Sequence, residues 1–170
     1  MKKFYDDPST YARALENHFM EDRFQQFQTF VNDRVSSSGG VADHSLFRSL
    51  IFAQINLSSS DFDAFKKHYL ECFKTFSFPQ KVIFLKHTIN QLKKNIICRG
   101  RPYEQKISGE YLNKIERGYQ SFFNGESDFD FCDIDLSDLN FVKGEAAYQI
   151  ILLRIKAFLV YGKNPIKPRH

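Results

Sequence analysis

The segment from Arg99 to Lys106 concentrates side chains that can bind phosphate groups. Two guanidinium groups, those of Arg99 and Arg101, flank Gly100, and Lys106 follows. An arginine fork matches the oxygen atoms of a phosphoryl group, and a loop that brings such forks over a transferring group would neutralise its developing charge. Viewed alone, an Arg-Gly-Arg loop is more often a solvated connector between two helices. The motif alone therefore leaves both interpretations open.

The elements that position this segment follow from the pattern of apolar residues. Helices are predicted over Ser9 to Val35, Leu46 to Ile55, a stretch N-capped by Ser60, Thr88 to Cys98, Ser108 to Phe123 and Gly144 to Val160. Strands are predicted at Gly40 to Ala42, Lys81 to Lys86 and Asp128 to Asp135. Val82 to Leu85 is flanked by lysines, which predicts a fully buried central strand. This order predicts a helix-rich α/β fold with a parallel sheet.

Composition and charge narrow the class of protein. The 170 residues fit one globular domain, and nineteen Phe predict an aromatic core, some of which could line a slot for a nucleobase. The formal net charge of +4 suits phosphate-bearing ligands and falls short of a nucleic-acid-binding profile. Three cysteines without metal spacing predict free thiols, and no apolar run reaches membrane-span length. We expect a soluble cytoplasmic protein without nucleic-acid or membrane partners.

The motif Arg99 to Gln105, followed by Glu110-Tyr111-Leu112, resembles the lid and following helix of deoxynucleoside kinases, particularly the deoxyguanosine and deoxyadenosine kinases. The segment Tyr5 to Pro8, then Glu16, then Arg23, is spaced like the substrate-binding helix of that family. The resemblance extends over nearly all of residues 4 to 160. It implies a P-loop-kinase-like fold, ATP-dependent phosphorylation of deoxynucleosides and a role in nucleotide salvage.

The resemblance assigns roles to individual residues. Tyr5 and Glu104 would bind the deoxyribose 3′-hydroxyl, and Glu16 would pair with the base edge, favouring bases that present N–H donors. Arg23 would lie on the base side, seven residues after Glu16 and on the same helix face. Without the family, a spacing of seven residues is more typical of an exposed helix pair.

The resemblance also assigns residues to the phosphates and to ATP. Asp43 would stand beside the 5′-hydroxyl, and Arg99 and Arg101 would clamp the phosphates. Asp138 and Phe141 would belong to the loop around the adenine of ATP. Asp43, Arg99 and Arg101 are therefore the catalytic candidates, and no metal-binding residue is predicted.

The chain departs from the family pattern in several places. It contains no GxxxxGK[ST] motif, which holds the ATP phosphates, and it lacks the general-base carboxylate that follows that motif. His44 stands where the family has an arginine, Asn95 replaces a frequent arginine, and Ser49 replaces an aspartate found in some relatives. These changes predict lost catalysis.

The domain organisation follows from these departures. We expect residues 1–162 to form a kinase-like domain without the first strand and the P-loop, and 163–170 to be a basic tail. ATP and Mg²⁺ would be cofactors only if a P-loop completes the domain. A homodimer, or a companion chain that supplies the missing segment, is a possible assembly. The main hypothesis is a deoxynucleoside kinase-like protein that is inactive as this chain alone. The alternative is a non-catalytic nucleotide-binding or protein-interaction module.

Overall fold

The fold consists of seven α-helices, two β-strands and a short 3₁₀ helix within the part of the chain that the structure describes. The structure is a computed structural model that describes residues 2–33, 40–43, 45–74, 81–125, 130–142 and 144–162. The helices are α1 (Lys2–Asp6), α2 (Pro8–Asp33), α3 (Phe47–Asn56), α4 (Ser59–Phe73), α5 (Ile89–Arg99), α6 (Gly109–Asn124) and α7 (Glu145–Tyr161). The strands are β1 (Lys81–Lys86) and β2 (Asp130–Asp135), and the 3₁₀ helix is Pro102–Glu104.

Contacts within the chain divide it into two compact units. The helical unit comprises residues 1–77 and 102–122, and the strand unit comprises residues 78–101 and 123–170. The prediction of one domain over residues 1–162 stays a prediction, and the basic segment 163–170 lies outside the described residues. No helix among the described residues combines the length and apolar content needed to cross a membrane.

The helical unit is built on the long helix α2. Asp7 lies just before this helix, and its carboxylate accepts hydrogen bonds from the Thr10 backbone N–H at 3.2 Å and the Ser9 hydroxyl at 2.7 Å. Met20 on α2 belongs to a buried cluster with Leu46, which precedes α3, and with residues of α3 and α4, namely Ala53, Phe65, Tyr69 and Phe73. This packing fixes the face of α2 that carries Glu16 and Arg23.

Helix α4 begins two residues earlier than the sequence indicates. Ser60 was the predicted N-cap, but Ser58 has the extended backbone of a cap and its Oγ accepts from the Asp61 N–H at 3.2 Å. Ser60 is already inside the first turn.

The strand unit contains a parallel two-stranded sheet. β1 and β2 pair in register from Lys81 opposite Asp130 to Lys86 opposite Asp135. Ile134 on β2 and Phe158 on α7 are fully buried in its core, and the Phe123 and Phe131 rings stack at 4.0 Å. The prediction of a helix-rich fold with parallel strands is confirmed.

The prediction that Val82 to Leu85 form a fully buried central strand is wrong. The run is a strand, but its residues are only partly buried and Leu85 is 50% exposed. Within the described residues β1 has one strand neighbour, and a parallel strand is covered completely only when it lies between two others with helices on both faces.

The strand predicted at Gly40 to Ala42 does not form. Residues 40–42 have no regular structure and Val41 is 95% exposed, so this short apolar run is neither paired nor packed among the described residues. Three apolar residues can form a strand only where a neighbouring strand supplies the backbone partners. His44 lies outside the described residues.

Tyr69 provides a test of the helical-unit core. Its side chain is fully buried and its hydroxyl has no hydrogen-bond partner among the described residues. Burying an unpaired polar group costs free energy, so Tyr69→Phe should raise the free energy of unfolding by about 1 kcal/mol in urea denaturation. The control is Tyr111→Phe, which removes a hydroxyl that does make a hydrogen bond and should lower stability. A loss of stability in Tyr69→Phe would contradict this account of the core.

Candidate functional site

A cleft of about 300 Å³ lies within the helical unit. Its lining combines an apolar surface with a few polar groups: Phe4, Tyr5, Pro8, Ile55, Asn56, Lys106, Ile107, Ser108, Tyr111 and Lys114. Small-molecule sites are typically mostly apolar clefts of roughly 300–1,000 Å³ with a few orienting polar groups. This cleft meets both criteria at the small end of the size range.

Glu16 is a buried carboxylate tied to residues that line the cleft. Its side chain lies on α2, is 2% exposed, and accepts a hydrogen bond at Oε1 from Asn56 Nδ2 at 2.7 Å. Burial raises the pKa of Glu16, while the Asn56 hydrogen bond and the nearby Arg23 and Arg48 guanidinium groups oppose that rise. The site therefore compensates part of the cost of keeping this carboxylate ionised.

Tyr5 lies near both carboxylates that the sequence analysis assigns to the site, those of Glu16 and Glu104. Burial raises the pKa of the Tyr5 hydroxyl, and the charges of Glu104 and, more weakly, Glu16 raise it further, as does Tyr103. The Tyr5 ring also stacks on Tyr103 at 6.4 Å. Glu104 itself is buried at the end of the 3₁₀ helix. Both carboxylates thus lie within electrostatic range of one phenol.

Arg23 is a half-buried cation next to this group. Its Nη1 donates to the Ser49 hydroxyl at 2.7 Å, and its guanidinium lies over the Phe19 ring at 5.4 Å. Burial lowers the pKa of Arg23, Arg48 lowers it further, and Glu16 opposes the change. The structure therefore collects Tyr5, Glu16, Arg23 and Glu104 in one unit.

The other candidate residues lie elsewhere in the chain. Asp43 is an exposed residue of the helical unit, in a bend before α3. Arg99 ends α5 and Arg101 follows it, both exposed and both in the strand unit. Between them Gly100 has φ 70°, a left-handed conformation that favours glycine, and its N–H donates to the Ile97 carbonyl. The predicted lid therefore begins as a helix cap that turns the chain between the two arginines.

Asp138 and Phe141 belong to the turn region after β2. Asp138 is exposed and Phe141 is 39% exposed. The turn is fixed by Asp135, whose Oδ1 accepts from the Ser137 N–H at 2.9 Å and from its hydroxyl at 2.6 Å. Their predicted contact with the adenine of ATP stays a prediction.

Sequence reasoning missed Asn56 and Tyr111. Tyr111 lies in the Glu-Tyr-Leu motif, yet no role was assigned to it, and Asn56 ends the apolar helix α3. Tyr111 Oη donates to Asn56 Oδ1 at 3.1 Å, across 55 residues of sequence. The available signal was an amide, Asn56, at the end of a mostly apolar helix.

The family model for deoxynucleoside kinases matches residues 1–160. The chain belongs to the deoxynucleoside kinase family. The resemblance inferred from the lid motif is thereby confirmed at the level of the family.

Curated relatives agree with this assignment. The chain is 25% identical to a deoxyguanosine kinase of Bacillus subtilis (strain 168) over 166 residues, which cover 94% of the chain and 80% of the relative. It is 26% identical to a deoxyadenosine kinase of Dictyostelium discoideum over 72% of the chain and 51% of the relative. It is also 23% identical to subunit 10 of the NADH dehydrogenase [ubiquinone] 1 alpha subcomplex of Mus musculus, over 97% of the chain and 48% of that protein.

Solved structures share the fold. A deoxyadenosine kinase from M. mycoides with bound dCTP matches with a TM-score of 0.71 at 21% identity, over 91% of this chain and 78% of that one. The same enzyme with bound dATP matches with a TM-score of 0.73 at 20% identity, over 91% and 79%. The predicted kinase-like α/β fold class is confirmed.

The family implies ATP with Mg²⁺ as phosphate donor, and the residues present fit this donor only in part. Exposed guanidinium groups at Arg99 and Arg101 suit phosphate oxygens, and the partly exposed Phe141 ring suits a base. The 170 residues contain no GxxxxGK[ST] sequence to hold the β- and γ-phosphates.

The buried Glu16 predicts a pH-dependent stability. Its pKa in the folded chain lies above the ordinary value of 4.5, so as pH rises from there the unfolded chain releases this proton first. The stability contributed by the protonated form is lost as pH rises through the folded pKa. Glu16→Gln has no proton to release, so its unfolding free energy relative to the unmodified chain should rise between about pH 4 and about pH 8.

The measurement is urea unfolding at both pH values. Glu71→Gln, at an exposed position on α4, is the control, and its difference from the unmodified chain should change little with pH. A pH-independent difference for Glu16→Gln would rule out the buried carboxylate as the cause.

Proposed function

We propose that the helical unit binds a deoxynucleoside and that Glu16 and Arg23 recognise its base. The observation that carries this proposal is the buried Glu16 carboxylate, held by Asn56 beside the Arg23 guanidinium. A carboxylate accepts hydrogen bonds only and a guanidinium donates only. The edge of a nucleobase presents donors and acceptors side by side, and such an edge complements this pair.

The sugar is assigned to Tyr5 and Glu104. A hydroxyl both donates and accepts, so the deoxyribose 3′-hydroxyl could donate to the Glu104 carboxylate while accepting from the Tyr5 phenol. The support is the electrostatic interaction between these two side chains and the burial of Glu104.

The phosphate chemistry is assigned to residues that the family pattern singles out. Arg99 and Arg101 would clamp phosphate oxygens, Asp43 would stand beside the 5′-hydroxyl, and Asp138 and Phe141 would flank the adenine of ATP. Phosphoryl transfer depends almost entirely on positioning and charge stabilisation. Without a phosphate-binding loop among them, these 170 residues alone are not expected to catalyse the transfer.

A second candidate is a subunit role without nucleoside turnover. The supporting observation is the similarity to a protein named as a subunit of the NADH dehydrogenase alpha subcomplex, which matches 97% of this chain. On this proposal the kinase-family fold acts as a binding or interaction module. A homodimer, a companion chain and a cytoplasmic location stay predictions.

The base-recognition proposal predicts a loss of affinity in Glu16→Ala. Hydrogen bonds to charged groups contribute roughly 1.5–3 kcal/mol, so the dissociation constant should rise about 10- to 100-fold. The measurement is calorimetric titration with each of the four deoxynucleosides. Glu71→Ala, which removes an exposed carboxylate of α4, is the control and should bind like the unmodified chain. Equal affinities in Glu16→Ala and the unmodified chain would refute the assignment of Glu16.

The turnover proposal predicts that the 170-residue chain does not phosphorylate deoxynucleosides with ATP above background. An arginine aimed at the transferring phosphoryl group can contribute about 10³-fold or more in rate, and the chain has histidine at position 44 as well as no phosphate-binding loop. A labelled-phosphate assay across the four deoxynucleosides, run beside His44→Arg, measures this. Robust turnover by the unmodified chain would overturn the proposal without affecting the binding assignment.

A further inference from the structure

The hydrogen bonds that lead to Glu16 run in one direction. Tyr111 Oη donates to Asn56 Oδ1 at 3.1 Å, and Asn56 Nδ2 donates to Glu16 Oε1 at 2.7 Å. An ionised carboxylate can only accept, so the amide must turn its NH₂ group toward Glu16 and its carbonyl toward Tyr111. The phenol is then the donor at the start of the chain of bonds.

The direction of these two hydrogen bonds is the same across the physiological pH range. Burial raises the pKa of Tyr111 to about 12, so the phenol keeps its proton and remains a donor. The three side chains come from three helices, with Glu16 on α2, Asn56 at the end of α3 and Tyr111 on α6. Tertiary packing therefore holds the amide in one orientation.

We propose that Asn56 and Tyr111 are positioning residues that hold Glu16 as an ionised hydrogen-bond acceptor, and thereby restrict the ligand to bases that present an N–H donor to this carboxylate. The inference rests on the proposed nucleoside-binding function, which it extends to the determinant of base choice. Both residues also line the cleft, so their effect on Glu16 is exerted within the site itself.

The protonation state of Glu16 is what makes the restriction effective. A protonated carboxyl has an O–H and could pair with a base nitrogen that carries no hydrogen, so it would accept more kinds of base. A hydrogen bond donated to the charged form favours that form. Asn56 therefore opposes the effect of burial and keeps the acceptor character.

The charges around Glu16 act in the same direction. Arg23 on α2 and Arg48 on α3 both favour the ionised carboxylate. Tyr5 on α1 and Tyr111 on α6 face it as phenols whose pKa is raised by burial, and Glu104 interacts with Tyr5. Asn56 is a neutral member of this set that donates directly to Glu16, and it can be removed without changing the net charge.

The test compares Asn56→Leu with Asn56→Gln, which keeps an amide donor. The first measurement needs no ligand: the ¹³C shift of the Glu16 carboxyl carbon is followed from about pH 4 to about pH 9. We expect the midpoint to rise by about one pH unit in Asn56→Leu and less in Asn56→Gln. Tyr111→Phe should shift it in the same direction by a smaller amount, and it serves as the second variant if Asn56→Leu does not fold.

The second measurement is the affinity for three nucleosides: deoxyadenosine, deoxyguanosine and purine 2′-deoxyriboside. The base of the third has no N–H donor. Below the raised midpoint, Asn56→Leu should lose about 10-fold in affinity for the two donor bases relative to purine 2′-deoxyriboside, and regain it as pH rises. Asn56→Gln should restore the preference. An unchanged midpoint in Asn56→Leu, or an unchanged base preference in that variant, would overturn the inference.

The two levels of the proposal fail differently. If the unmodified chain binds none of these nucleosides, the binding function is wrong and the base restriction falls with it. If the chain binds nucleosides but the carboxyl midpoint does not move in Asn56→Leu, the binding function stands and only the positioning role is refuted.

Discussion

The helical unit is organised around one buried carboxylate. Removing Glu16 from water is costly, and the cost is reduced only because three helices place compensating groups around it. Asn56 at the end of α3 donates a hydrogen bond to Glu16, and Tyr111 on α6 donates to the carbonyl of that amide. Arg23, seven residues after Glu16 on α2, supplies positive charge. A change in the packing of α3 against α2 or α6 would separate these groups. The same constraint that shapes the fold thus prepares a hydrogen-bond acceptor beside the cleft.

Arg23 shows how a single substitution changes the balance within this group. The sequence singles out Ser49 because some relatives have an aspartate there, and the structure places the Ser49 hydroxyl 2.7 Å from the Arg23 guanidinium. A hydroxyl accepts the hydrogen bond but carries no negative charge, whereas a carboxylate would also balance the charge of Arg23. Part of the compensation then comes from Glu16, so the two side chains are coupled through their charges. A ligand that accepts from Arg23 and donates to Glu16 would relieve both.

The sequence predicted features that depend on local pattern and missed features that depend on tertiary contacts. Helices α2, α3, α5, α6 and α7 follow from apolar periodicity and end within about two residues of the predicted bounds. Glu16 and Arg23 could be placed on one face from their spacing alone. Asn56 and Tyr111 could not be paired, because no local pattern encodes a contact across 55 residues. The prediction that β1 is fully buried was wrong for a related reason, because a continuous apolar run does not show how many neighbouring strands a strand has.

The residues assigned to recognition lie in one unit of this chain, whereas those assigned to transfer are divided between both units. The groups assigned to base and sugar belong to the helical unit alone, whereas Arg99 and Arg101 belong to the strand unit. On the proposed assignment, binding a nucleoside depends on the packing of α1, α2, α3, α6 and the 3₁₀ helix. Transfer requires in addition that cationic groups and a phosphate-binding loop be aligned with the ligand to within fractions of an ångström. Because the second requirement is much stricter, binding can persist in a chain that has lost catalysis, and nucleoside affinity is the property that most directly reports on the site itself.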